Sequence, residues 1–405
     1  MLAGRLLVFA AAGSIAACAT GVLATPAHAD TIRAGQQWVL DMLNVSPVWQ
    51  QTEGDGVTVA VIDSGVDGKV SDLTGQVTQG PDFTGVSTSE RNQNWGVHGT
   101  WMASLIAGHG HDGGSSGVIG IAPEARLLSI RVIPDKADPR YGAYEHEPET
   151  QIQNSLAKGI NYAVASGAQV ISMSIGYSAP STMVRAALLN AVRHNVVVVA
   201  SAGNSGSSAG HDRQGQAPES FPADYPGVIS VGAVSSTGAV AGFSSDNLSV
   251  QVAAPGVNVP AQGRDGQYWY VSGTSPACAL VAGVAALIKS RFPALTPHLV
   301  AEAMTNTTTG RPAGHYDSQV GFGIVDASGA VSAAGQLAGV GQAAFTAAGV
   351  AANAHFGGGP AAIPAEPVRP RGTSSLILSA VLALTCLVLI VAAATRLAVL
   401  HRGRS

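Results

Sequence analysis

Six short, mostly apolar runs, residues 57–62, 126–132, 170–175, 196–200, 228–234 and 250–254, are separated by stretches with helical spacing, and this alternation constrains the fold more than any other feature. Continuous apolarity, without the in-and-out pattern of a half-exposed strand, implies strands covered on both faces. Between them Ile152, Leu156, Ile160 and Val164 recur four apart, and residues 183–192 carry a similar period after a Ser-Thr start. Strand, helix, strand in repetition predicts parallel strands joined by crossover helices. A hydrophobic content of 46% with 50 glycines suits a large buried sheet with tight turns. The expected class is α/β, a three-layer α/β/α body around a mostly parallel sheet over residues 55–330. A long apolar helix is expected from Ser275 onward, and Thr296-Pro297 reads as a cap followed by proline in the first turn.

Outside that body the composition changes. Arg5, an apolar stretch over 6–17 and Ala27-His28-Ala29 read as an export signal over 1–29, cleaved after Ala29. Ile15-Ala16-Ala17-Cys18 offers the alternative of lipidation at Cys18. Residues 30–54 form a short arm with Trp38 and Trp49 as anchors. Residues 331–374 have the Ala/Gly/Pro composition of a linker. Residues 375–396 read as a transmembrane helix, since about 20 apolar residues cross ~30 Å of hydrocarbon. The tail, 397–405, is basic, and with Arg396 the positive charge places it in the cytosol and the body outside. The net charge of −4 gives no basic stripe for nucleic acid. Of the cysteines Cys18, Cys278 and Cys386, one alone lies in the body, so no disulfide is expected there. Residues 134–150 read as a surface loop, with a partner site as the alternative, and His109-Gly110-His111-Asp112 as a solvated loop without a metal-ligand set.

Three segments carry chemistry: residues 59–65 ending Asp63-Ser64-Gly65, then His98-Gly99-Thr100, then Gly273-Thr274-Ser275-Pro276-Ala277. Taken singly these are a turn aspartate, a helix-cap histidine and an N-cap serine. Each, however, sits at a strand end or a helix start, where catalytic side chains are held. A serine hydroxyl is a weak nucleophile at neutral pH and needs a base within reach and a group to orient that base. Ser275, His98 and Asp63 supply those three parts, and the dipole of the helix at Ser275 favours a developing oxyanion.

These segments resemble the three signatures of the subtilisin-like (subtilase) superfamily of serine proteases, over roughly residues 40–330. The resemblance implies an Asp63-His98-Ser275 triad. It also implies an oxyanion hole from Asn204, in Ser201-Ala202-Gly203-Asn204, with the backbone N–H of Ser275. Ser174, Ile175 and Gly176 resemble the segment that pairs with extended substrate, and residues 321–327 the closing segment of the fold. The layout of signal, arm, body, tether, span and basic tail is most similar to the membrane-anchored mycosins of type VII secretion, and residues 33–49 look like their lead-in. That implies an extracytoplasmic endopeptidase of protein or peptide substrates, tied to the membrane and to a type VII secretion complex. An assembly component with reduced activity and a general cell-surface subtilase are the alternatives. The stretch before the first strand is too short for the usual folded prodomain. No cofactor is implied; calcium sites occur in many subtilases, and none is identified here. Two departures stand out. Pro276 follows the serine directly, where the family has its proline three residues later, and the body lacks the cysteines many mycosins carry. Cys278 reads as a small buried hydrophobe.

Overall fold

The computed structural model describes residues 29–206 and 216–339. Successive strand residues point to opposite faces of a sheet, and the apolar runs divide accordingly. Val59, Val61, Leu127, Val197 and Val199 join one buried cluster, whereas Ala60, Ile62, Leu128, Val198 and Ala200 join another. The strands are β1 (Thr58–Asp63), β2 (Val77–Asp82), β3 (Arg126–Arg131), β4 (Val170–Met173), β5 (Val197–Ser201), β6 (Val228–Val234) and β7 (Val250–Pro255). They form a seven-stranded sheet in the order β2-β3-β1-β4-β5-β6-β7. Every adjacent pair is parallel.

Helices cover both faces. The main ones are α1 (Ala29–Met42), α2 (Val97–Ala107), α3 (Glu149–Ala165), α4 (Thr182–Arg193), α5 (Thr274–Arg291), α6 (Pro297–Asn306) and α7 (Ala327–Leu337). Residues of α2, α5, α6 and α7 share the first cluster, with Val39 and Leu40 of α1; α3 and α4 fill the second through Leu156, Ile160, Val184 and Leu188. The expected three layers are present. Ser181 caps α4 by accepting from Val184 N. Pro297 starts α6 as expected, but Thr296 makes no side-chain cap and pairs instead with His298.

Several expectations are corrected. α5 begins at Thr274, behind an N-cap glycine, Gly273, so Ser275 is its second residue rather than its cap. Thr274 N and Oγ1 both donate to Asn204 Oδ1, which fixes the turn one residue earlier. The stretch 134–150 is not all surface loop, since it holds a helical turn (Tyr141–Glu145) and a buried Asp138. Nor is His111 simply solvated: His109–His111 pairs with Ser116–Ile119 as a ribbon, and His111 Nδ1 lies 2.7 Å from buried Asp72 Oδ1. The chain is helical to Leu337, so residues 331–337 of the expected linker are packed helix, held by an Asp326 cap on Gly329 N. The polar, half-exposed edge strand β2 gave no apolar run to detect.

The arm is strapped to the body. Arg33 Nε and Nη2 donate to the carbonyls of Gly117 and Ser116 at 2.9 and 3.1 Å, and the Gln36 amide pairs both ways with the backbone of Ile119. Trp49 Nε1 donates to Ile121 O at 2.9 Å, and Trp38 packs on the main cluster, so both tryptophans anchor as expected. Bridges Ala253 to Ile324 and Thr309 to Ile324 make 321–327 structural. Among the described residues no helix is long and apolar enough to cross a membrane. The expected signal up to residue 28, Cys18, the linker from 340 to 374, the span 375–396 and the tail 397–405 lie outside the described residues.

Next to β1, the Arg131 side chain is 2% exposed and donates to Asp82 Oδ2 at 2.5 Å, Asp138 Oδ2 at 2.9 Å and the Ser64 carbonyl at 3.2 Å. Removing one partner of a buried ion pair leaves the other charge uncompensated. Arg131→Ala is expected to cost about 3–5 kcal/mol, read as a lower urea midpoint for loss of tertiary structure. An unchanged midpoint would show that Asp138 needs no counter-charge.

Candidate active site

In an open α/β sheet a crevice forms beyond the carboxyl ends of the strands where the connections change direction. Here the chain leaves β1 to build β3 on one side and then β4 on the other. Asp63 is the last residue of β1, Ser174 follows β4, and Asn204 follows β5. The crevice there is a cavity of about 490 Å³ whose lining includes His98, Ser174, Ile175, Gly176, Asn204 and Ser275. His98 and Ser275, 177 positions apart, thus share one wall.

Asp63 is buried, and its Oδ1 accepts from Ser64 N at 2.7 Å and meets His98 Nδ1 at 2.8 Å. His98 is the second residue of α2. That helix presses on the turn after β1 because Gly99 has no side chain: a Cβ there would lie 2.1 Å from the Gly65 carbonyl oxygen. The glycine beside the histidine is therefore a condition of the Asp63–His98 contact. Burial pulls the His98 imidazole down, but the charge and hydrogen bond of Asp63, with the charge of Asp135, outweigh it and raise the pKa.

Asp135 was not legible as a site residue. Its carboxylate accepts from Val97 N at 2.8 Å and His98 N at 3.0 Å, and burial pushes its pKa up to about 6. A carboxylate that caps a helix from 37 positions away has no local sequence pattern.

Ser275 enters through Gly273, whose φ of 151° suits glycine. Pro276, third in the helix, sits where a missing N–H removes no helical hydrogen bond. Ser275 and Ser174 are coupled, Ser174 Oγ donating to the Ser275 carbonyl at 3.1 Å. The Ser275 hydroxyl donates to the Ser174 carbonyl at a long 3.5 Å. Among the described residues, then, the Asp63–His98 bond is made and the expected bond from Ser275 to His98 is not. A serine rotamer turns readily, and such bonds are often loose until substrate fills the site.

Asn204 is clamped by its oxygen, which accepts from Thr274 N at 2.9 Å and Thr274 Oγ1 at 3.0 Å. Its Nδ2 lies 3.3 Å from where a Cβ on Gly273 would stand, so the donor end faces the approach to Ser275. Ile175 and Gly176 continue past β4 along the cavity, and Tyr177 pairs with Phe221 through both backbone groups. Cys278 is fully buried behind the site, its thiol pushed up to about 12 by burial, in keeping with an inert packing residue. Among the described residues no group of three His, Cys, Asp or Glu side chains is placed to hold a metal ion.

A model of the subtilase family matches residues 54–323. Fervidolysin from Fervidobacterium pennivorans is 34% identical over 318 residues, covering 72% of this chain, which in turn spans only 43% of fervidolysin's length. MycP1 from Mycobacterium smegmatis superimposes with a TM-score of 0.61 at 31% identity, over 73% of this chain and 84% of that one. A chain of the periplasmic assembly from the ESX-5 inner membrane complex gives a TM-score of 0.60 at 27% identity, over 73% and 84%.

Proposed function

The chain belongs to the subtilase family of serine peptidases, and from that premise we propose that it is a membrane-anchored extracytoplasmic endopeptidase, a mycosin working beside a type VII secretion complex. The observation that carries the catalytic part is the Asp63–His98 contact in one cavity with Ser275 and Asn204. Ser275 Oγ attacks the peptide carbonyl carbon while His98 Nε2 takes its proton and Asp63 holds Nδ1–H and offsets the imidazolium charge. The oxyanion meets Ser275 N–H and the Asn204 amide. His98 then protonates the leaving amine; in deacylation it takes a proton from water, which attacks the acyl carbon, and returns that proton to the Ser275 oxygen as the acyl–oxygen bond breaks. Substrate backbone lies along Ser174, Ile175 and Gly176, which follow β4 on the cavity wall, as an added strand.

The membrane part is supported by residues 376–395, an apolar run followed by Arg396, Arg402 and Arg404. The likeness to MycP1 and to a chain of the ESX-5 assembly supports the secretion setting. A fluorophosphonate probe tests the chemistry: the full chain is expected to be labelled, and Ser275→Ala to stay unlabelled while folded. Equal labelling of the two proteins would refute Ser275 as nucleophile.

A second reading, an assembly role with low activity, draws on the Ser275 hydroxyl resting on Ser174 and on Pro276 beside it. Secretion restored in a deletion strain by Ser275→Ala would favour it. A wall protease acting alone would elute alone after detergent extraction.

A further inference from the structure

A helix begins with four backbone N–H groups that no helical carbonyl reaches, and a side chain at the N-cap ordinarily serves one of them. α2 has none to use, because Gly96 stands there in the left-handed region at φ 69°. Its first-turn amides are served from two other strands' exits and its own cap carbonyl. Val97 N and His98 N donate to the two oxygens of Asp135 at 2.8 and 3.0 Å, and Gly99 N donates to Ser64 Oγ at 3.0 Å. Thr100 N turns back to the Gly96 carbonyl at 3.1 Å. Ser64 follows Asp63 on β1, Asp135 follows β3, and the two strands are neighbours with Asp63 opposite Arg131. The exits of two strands therefore hold the backbone at His98 and at Gly99, and Asp63 holds the His98 ring.

We propose that Asp135 is a positioning residue for His98, gripping the backbone at the base with both carboxylate oxygens and placing a second negative charge near the imidazole. The proposal rests on the reading of His98 as the general base. Amide hydrogen bonds to an ionised carboxylate are shorter and stronger than neutral ones, so Asp135 serves best when charged. Its charge adds to that of Asp63 in favouring the imidazolium that forms during attack. Asp63 and Asp135 are the carboxylates acting on His98; Trp101 sets its edge to the ring, and Lys136, Tyr141 and Glu219 lie elsewhere on the cavity wall.

The test uses the full chain in detergent with ¹³Cε1-labelled histidine, the His98 signal being assigned by its loss in His98→Gln. Asp135→Asn removes a charge that raises the imidazole pKa, so the His98 titration midpoint is expected to fall by at least about half a pH unit. The acid limb of kcat/KM moves the same way, because the base must be neutral to act. Ser64→Ala, which loosens the same helix start without removing charge, is expected to leave the midpoint in place. An Asp135→Asn midpoint equal to wild type overturns the electrostatic role. Asp135→Glu keeps the charge but shifts the grip by one methylene, and is expected to lower kcat about tenfold with KM and midpoint unchanged, a loss typical of a slightly misplaced catalytic group. Wild-type kcat in that variant overturns the positioning role. Failure of fluorophosphonate to label the wild type sinks the peptidase reading separately, since the titration needs no turnover.

Discussion

Replacing Ser275 by alanine is expected to lower turnover of a peptide substrate on the order of 10⁶-fold, the loss seen when subtilisin loses its nucleophile. The reason is cooperative. In the proposed mechanism Ser275 supplies the attacking oxygen, and without it His98 has nothing to deprotonate. His98→Ala is therefore expected to cost nearly as much, and the double variant little more than either alone. Asp63→Ala should cost less, roughly 10⁴-fold, because a misoriented imidazole still accepts some protons. The measurement is kcat on one fluorogenic peptide for the wild type and the four variants, with circular dichroism to establish folding. Losses that multiplied in the double variant would mean that the two residues act independently, which the relay forbids.

The second large effect is at Asn204. Asn204→Ala is expected to lower kcat by about 10²- to 10³-fold, because on the proposed mechanism one donor to the oxyanion disappears. The clamp on Asn204 Oδ1 by Thr274 N and Oγ1 makes the effect specific to the transition state: the amide is held in place before substrate arrives and does not reorganise during attack. KM should change little, since the ground-state carbonyl carries little charge. A variant with raised KM and wild-type kcat would show that Asn204 shapes the cavity without stabilising charge. Thr274→Val, which keeps the N–H but loses the hydroxyl donor, should reproduce a small part of the kcat loss.

Legibility in the sequence followed how local each signal was. The apolar runs located six of the seven strands to within a residue or two, because a strand buried on both faces is mostly apolar at successive positions. β2 escaped because an edge strand is half exposed, and its Gly80 and Pro81 read as loop. Asp63, His98 and Ser275 could be nominated because each has a glycine within two positions, and Asn204 because its segment resembles the family's oxyanion motif. Gly99 clears the Gly65 carbonyl, and Gly273 takes a backbone conformation closed to other residues. Asp135 and Asp138 were not legible. Both lie in 134–150, a polar stretch with no period, and their partners, the amides of α2 and the guanidinium of Arg131, come from other elements. The start of α5 was misplaced by one residue for the same reason, its first amide being held by a side chain seventy positions away.

By itself the sequence determined the class of fold and where most of its strands lie along the chain, since hydrophobic period acts over a few neighbours, and it nominated the residues proposed for nucleophilic chemistry. Tertiary structure alone decided which strands lie side by side, and so which carboxylate reaches which amide. It set His98 between Asp63 and Asp135 and turned the Ser275 hydroxyl to Ser174. The physical reason is range: backbone preference and burial are felt along the chain, whereas a hydrogen bond acts only across about 3 Å, a proximity that folding of the whole sheet creates.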